Sequence, residues 1–163
     1  MNDKLTTVLE NLMANSEDSF GEGVIIDSKQ WHSLNSKMGQ IIPEWLIGLF
    51  TTYPLSYAIL EIADEDDHEM EYALEFVCPE SMENESMEAY PGCAILELGY
   101  ICIAEDPTGG GDPYFISVSE GDNPPVYQIY HDVGDVGEEI LAEGKQTVAN
   151  SLSELFERGQ LTG

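Results

Sequence analysis

Residues 100–132 read YICIAEDPTGGGDPYFISVSEGDNPPVYQIYHD, and this stretch decides the fold. It consists of three short apolar segments separated by two turn-forming loops. Residues 100–104 place Ile101 and Ile103 around the small, apolar Cys102 and predict a first strand. The loop 105–112 follows, and Gly109, Gly110 and Gly111 give it wide backbone freedom. In 113–119, Tyr114, Ile116 and Val118 alternate with Phe115, Ser117 and Ser119, the period of a strand. A second turn over 120–124 holds Gly121 and Asn123, and 126–130 predicts the third strand. Pro113 and Pro125 cannot donate to a ladder, so they belong at strand starts or edges. The stretch is a β-meander, with loops of the kind in which function concentrates.

Working outward, residues 71–76 set Tyr72, Leu74 and Phe76 against Glu71, Ala73 and Glu75, as a half-buried antiparallel strand does. Residues 56–62 are apolar except near Glu61 and predict a central strand. Between these two strands, DEDDHE at 64–69 reads as a charged hairpin tip. Residues 79–89 predict a short helix, turned back by Tyr90-Pro91-Gly92. Toward the N-terminus, Leu5, Val8, Leu9, Leu12 and Met13 form one apolar stripe on a helix over 3–14, followed by a polar linker at 15–23. Asp27 or Ser28 caps a helix that runs to Met38 and ends at Gly39, with Trp31 and Leu34 on one face. A third helix over 43–50 takes Pro43 in its first turn and buries Trp45, Leu46, Leu49 and Phe50. Toward the C-terminus, 134–144 reads as an acidic loop. A last helix over 147–157 carries Val148, Leu152, Leu155 and Phe156, with Arg158 at its negative end and Gly159 as a stop. The order predicts an α+β fold: a mostly antiparallel central sheet flanked by N-terminal helices and a C-terminal helix. With 163 residues, 42% of them hydrophobic, the chain can close one core, so a single domain over 1–163 is expected, its core at about 27–157.

Charge narrows the function. Against 32 acidic residues stand 5 basic ones, a formal net charge of −27. Such a surface repels nucleic-acid phosphates and anionic membranes, and it attracts basic proteins and divalent cations. It also serves solubility. The opening MNDKLTTVLENL has no basic segment followed by an apolar core, so no signal peptide is expected. The apolar run 41–50 is broken by Pro43 and Glu44 and is too short to span a bilayer. Cys78, Cys93 and Cys102 are odd in number and lack C-x-x-C spacing, which fits a reducing cytoplasm and a role as small buried fillers.

Several constellations hold residue types that can carry chemistry. Asp64, Glu65, Asp66, Asp67 and Glu69 surround His68, but their spacing is not that of a calcium loop and no glycine makes the required turn. A solvated tip is the plain reading, and steering of a basic partner is the functional one. The glycine run 109–111 lacks the lysine of a phosphate-binding loop, and Asp106 and Asp112 would repel the ligand; bonds from these two to turn amides are expected instead. His131-Asp132 with Ser117 or Ser119 lacks a G-x-S-x-G elbow, and Cys93 and Cys102 have no identifiable partner histidine. His32, His68 and His131 share no zinc spacing. No catalytic residue, cofactor or metal is therefore expected. The eight tyrosines are expected to be core or sheet-face residues with wet hydroxyls, some of them at an interface.

An ordered set of short motifs carries a family resemblance. Ile42-Pro43 opens a short helix; Leu98-Gly99-Tyr100-Ile101 leads into Gly110-Gly111-Asp112-Pro113-Tyr114; Pro125-Val126-Tyr127 is followed by His131-Asp132; a closing helix lies around Phe156. Over about 27–157 the chain resembles the SUKH superfamily in its Smi/Knr-type branch. The resemblance implies an α+β domain and binding rather than catalysis. Bacterial members include cytoplasmic immunity proteins that neutralise a polymorphic toxin domain, often a nuclease. Fungal members are scaffolding regulators of cell-wall synthesis. An immunity protein that binds a basic toxin domain is the leading expectation, with an envelope-synthesis regulator as the alternative. The partner-binding residues expected are Asp64, Glu65, Asp66, Asp67 and Glu69 in one loop and Asp106 and Asp112 in the other.

Overall fold

The computed structural model describes residues 1–15, 20–63, 66 and 70–162. Among them, seven strands form one sheet in the order β6-β5-β4-β3-β2-β1-β7, and every neighbouring pair is antiparallel. The fold is α+β, as the order of segments predicts.

Helix α1 (Asp3–Asn15) buries Leu5 and Leu9, with Val8 and Leu12 half-buried beside them. Helix α2 (Ser28–Lys37) starts where its cap dictates: the Asp27 carboxylate accepts the Lys29 N–H at 2.7 Å. Helix α3 (Glu44–Thr52) has Pro43 as its N-cap and buries Leu46, Ile47, Leu49 and Phe50, so Ile47 takes the place expected of the half-buried Trp45. Trp31 of α2 stacks on Phe50 of α3 with centroids 4.7 Å apart.

Strand β1 (Ile59–Ala63) pairs with β2 (Met70–Phe76) and, on its other side, with β7 (Gln160–Thr162). The expected central strand at 56–62 therefore begins later and lies one position from the edge. Tyr57, at φ 73, breaks the extended run, while Ser56 makes only an isolated bridge to Val24. Helix α4 (Pro79–Glu83) continues into a π turn (Asn84–Glu88), and α5 (Gly92–Ile95) and a short 3-10 turn (Leu96–Leu98) lead into β3 (Tyr100–Glu105). Strands β4 (Tyr114–Ser117) and β5 (Val126–Ile129) complete the meander. Tyr100 to Ala104 and all four residues of β4 are buried, so the middle of the sheet is covered on both faces. Phe76 of β2 stacks on Phe156 with centroids 5.5 Å apart, which joins the sheet to the last helix.

Two expectations near the C-terminus fail. Residues 134–144 are not a loop throughout, because Gly137–Gly144 forms helix α6 around the buried Ile140. Glu138 and Glu139 sit in its first turn, where the helix dipole favours them, and a Cβ at Gly137 would come within 2.4 Å of the Ala94 carbonyl oxygen. Residues 147–157 are not one helix: Lys145–Ala149 is strand β6, paired with β5, and Leu152–Arg158 is α7. The Ser151 hydroxyl accepts the Glu154 N–H at 3.1 Å, and the Glu154 carboxylate accepts the Asn150 N–H at 3.2 Å. That capping pair starts the helix at Leu152.

Candidate protein-interaction surface

In this meander β1, β3 and β5 run one way and β2 and β4 the other. The connections that follow β1, β3 and β5 thus leave the same end of the sheet. Ala63 and Met70 flank 64–69 at that end, the loop 105–112 leaves it, and so does the segment after Ile129 that carries His131, Asp132 and Asp135. Asp64, Glu65, Asp67 and Glu69 lie outside the described residues, as does His68; Asp66 is exposed.

The two aspartates expected in the second loop are both engaged in shaping it. Asp106 accepts the Thr108 N–H at 2.8 Å and the Thr108 hydroxyl at 2.6 Å, an Asx turn that closes the bend. Asp112 reaches across the meander instead: its carboxylate lies 2.6 Å from His131 Nδ1 and accepts the His131 N–H at 3.1 Å. The Asp112 carbonyl accepts the Gln128 side-chain amide at 3.1 Å. Hydrogen bonding to Asp112 raises the pKa of His131 above its ordinary value. His131 is thus tied to Asp112 across the meander. Nineteen positions separate the pair, and no local motif announces it.

Hydrolytic chemistry gains no support from the neighbours of the groups considered for it. Ser117 Oγ bonds Ser119 Oγ at 2.9 Å, while His131 is held by Asp112. Cys102 is fully buried, and burial pushes its thiol well above the ordinary range. Among the described residues no three histidine, cysteine or acidic side chains converge to hold a metal, and no helix is long and apolar enough to cross a membrane.

The sequence reading missed a third acidic group. Glu75 of β2 and Glu105 of β3 are Cα partners across the sheet, and Glu85 of the π turn joins them. Glu85 and Glu105 line a cavity of about 120 Å³ together with Asp106, Gly109, Gly111 and Pro113. Separations of ten and twenty residues carry no periodic signal, so only the fold brings these glutamates into one region. The cations lie elsewhere: Lys4 faces Glu157, Lys37 faces Glu83, and Arg158 faces Glu154. Lys145 donates to the Tyr100 hydroxyl at 3.1 Å and sits 4.6 Å from the centre of the Tyr127 ring.

Among the described residues, Asp66, Asp106, Asp112, Asp132 and Asp135 thus lie on the connections that leave this end of the sheet. No curated protein and no solved structure matches the chain. The model of the SMI1 / KNR4 family (SUKH-1) matches residues 26–158, more than half of the sequence, and the chain belongs to that family.

Proposed function

We propose that this protein is a non-catalytic binding module that acts in the cytoplasm as an immunity protein, neutralising a basic, polymorphic toxin domain. The observation that carries the reading is the net charge of −27 on a chain of the SMI1 / KNR4 family. A field of that sign speeds encounter with a basic nuclease domain and imposes little geometry of its own. Docking would then fall to the acidic end of the sheet. In this reading Asp64, Glu65, Asp66, Asp67 and Glu69, together with Asp106 and Asp112, imitate the charge of a nucleic-acid backbone. No bond is made or broken by this protein; occlusion is the whole mechanism.

Affinity capture from native lysate at low and moderate salt, with mass spectrometry of the retained proteins, tests the reading. A basic toxin fragment held one-to-one, whose toxicity co-expression of this chain abolishes, is the expected result. Retention of envelope-synthesis proteins with no toxin among them would replace the reading with that of a growth regulator. Neutralising the 64–69 loop should slow association with the captured toxin, and an on-rate that keeps its value and its salt dependence would remove that loop from the mechanism.

A further inference from the structure

One face of the sheet carries a row of Cα partners, Phe76, Ala104, Tyr114, Gln128 and Gln146, that crosses from β2 to β6. Side chains alternate between faces along a strand, so Tyr72, four residues before Phe76, and Tyr130, two after Gln128, share that face. Only Glu75 and Phe76 of β2 pair with β3, so Tyr72 stands on the part of the β1–β2 hairpin that projects past that strand. In the sheet β2 and β6 are four places apart, about 19 Å if it were flat. A tyrosine and a glutamine cannot span that distance, yet the Gln146 amide donates to the Tyr72 hydroxyl at 2.8 Å, 74 residues away in sequence. The sheet and its projecting hairpin therefore curl toward this face. The Tyr130 hydroxyl donates to Gln146 Oε1 and completes a bridge, Tyr72–Gln146–Tyr130, from the hairpin to the exit of β5. Tyr114 lies between these strands on the same face and is 1% exposed. The bridge stands at the end of the sheet from which the acidic connections leave.

Its hydrogen bonds leave acceptors over. Gln146 gives an amide N–H to Tyr72 and accepts the Tyr130 O–H. Among the described residues, one lone pair of Oε1 and the Tyr130 oxygen then remain unused. Gln146 is exposed and both tyrosines are half-buried, so the bridge meets solvent. Burial first, then the charge of Glu71, raises the pKa of Tyr72 above its ordinary value of 10.0, so its hydroxyl is uncharged at neutral pH. The chain's own cations at this end are committed elsewhere. Lys145 points to the opposite face, where it donates to the Tyr100 hydroxyl and lies against the Tyr127 ring. Arg158 donates to the Val148 carbonyl at 3.1 Å and pairs with Glu154 at 3.5 Å.

We propose that the Tyr72–Gln146–Tyr130 bridge is the anchor on which a cationic side chain of a basic protein partner, an arginine or a lysine, is seated. The identity of that partner rests on the immunity reading; the seat for a cation does not. Charge and hydrogen bonding select the occupant. An anion would meet a chain of −27, and an apolar segment would bury the free acceptors unpaired. A guanidinium brings donors to them and a flat cationic face to the tyrosine rings. The carboxylates then act on the rate of encounter, and the neutral bridge acts on the rate of escape. Because the bridge is already formed in the free protein, little ordering is left for docking to impose.

The test is an NMR titration of the full chain with a hexa-arginine peptide at low and at moderate salt, following the Tyr72 and Tyr130 rings and the Gln146 side-chain amide. All three should shift together at both salt concentrations. Gln146→Ala removes a hydrogen bond to a charged group and should weaken binding about tenfold or more. The factor should be the same at both salts, because the residue lost is neutral. Tyr130→Phe keeps the ring and the bond between Gln146 and Tyr72, so the hairpin stays braced while an acceptor is lost; binding should weaken here too. Asp135→Asn is the control for charge, and its effect should shrink as salt rises. Bridge signals that the peptide leaves unmoved, or binding in both bridge variants equal to that of the unmodified chain, would overturn the proposal. A loss in Gln146→Ala alone would also overturn it, by reducing the bridge to a brace. The peptide is defined, so the result is independent of the lysate capture. A capture without toxin removes the immunity reading and leaves the cation seat to this titration.

Discussion

The substitution Gly92→Ala places a Cβ 1.7 Å from the Glu85 carbonyl oxygen, 2.8 Å from the carbonyl carbon and 3.1 Å from Ser86 Cα. All three are backbone atoms, so no side chain can rotate away. Ordinary contact between such atoms is about 3.5 Å, so α5 and the π turn must separate by roughly 1.5–2 Å. Overpacking of this kind costs about 1–3 kcal/mol. The separation also pulls the Ser86 hydroxyl from the Cys102 N–H, and a buried donor left without a partner costs about 1–3 kcal/mol more. Together about 4 kcal/mol is expected, a large part of the roughly 5–15 kcal/mol that holds a protein of this kind folded. Equilibrium unfolding in urea should show the midpoint falling at an unchanged slope. Gly39→Ala provides the contrast: its Cβ meets nothing within 4 Å, but φ is +74, so only backbone strain of about 1–2 kcal/mol is paid. A loss below about 1 kcal/mol for Gly92→Ala, or one no larger than that for Gly39→Ala, would refute the close seating of α5 on the turn.

Three further outcomes are expected. Phe156→Ala removes a buried ring stacked on Phe76 and should cost about 3–5 kcal/mol, readable as a drop in the denaturant midpoint. Ser151→Ala removes the cap of α7 and should cost about 1 kcal/mol, while Ser151→Asp should retain most of the stability, since aspartate caps equally well. Asp112→Asn should return the His131 midpoint in an NMR titration toward its ordinary value. Because that midpoint is raised in the folded protein, the contribution of His131 to stability is present below pH 6.5 and is lost as pH rises through the raised value. The variant should flatten the pH dependence there.

The meander was legible because its signals are local: alternation in 71–76 and 113–119, apolar strands, and turn residues between them. The α2 cap at Asp27 was legible for the same reason. The C-terminal third was misread where two periods competed. Val148, Leu152 and Leu155 fit one helical stripe, and that spacing concealed the cap at Ser151, which divides β6 from α7. Helix α6 was concealed by the glycines at its ends; Gly137 is there for close packing on Ala94, a cause that only the fold reveals. In the candidate surface, Asp106 could be anticipated as a turn ligand because its partner is two residues away. The Asp112–His131 pair and the Glu75–Glu85–Glu105 group are products of strand register and helix seating, which no composition or spacing encodes.

The sheet is open at β6 and β7, and such edges invite another strand to pair with them. Arg158 occupies one carbonyl of the β6 strand by donating to Val148 at 3.1 Å, but one arginine cannot cover an edge. Mutual repulsion adds protection, since each approaching copy carries −27. A basic partner cancels part of that charge and so removes part of the protection. While that charge is intact, pairing of free copies is opposed, the more so at low salt. The bound complex has to rely on the partner's bulk to keep neighbouring sheets apart, so among otherwise equal partners a small one would leave a stickier complex than a large one.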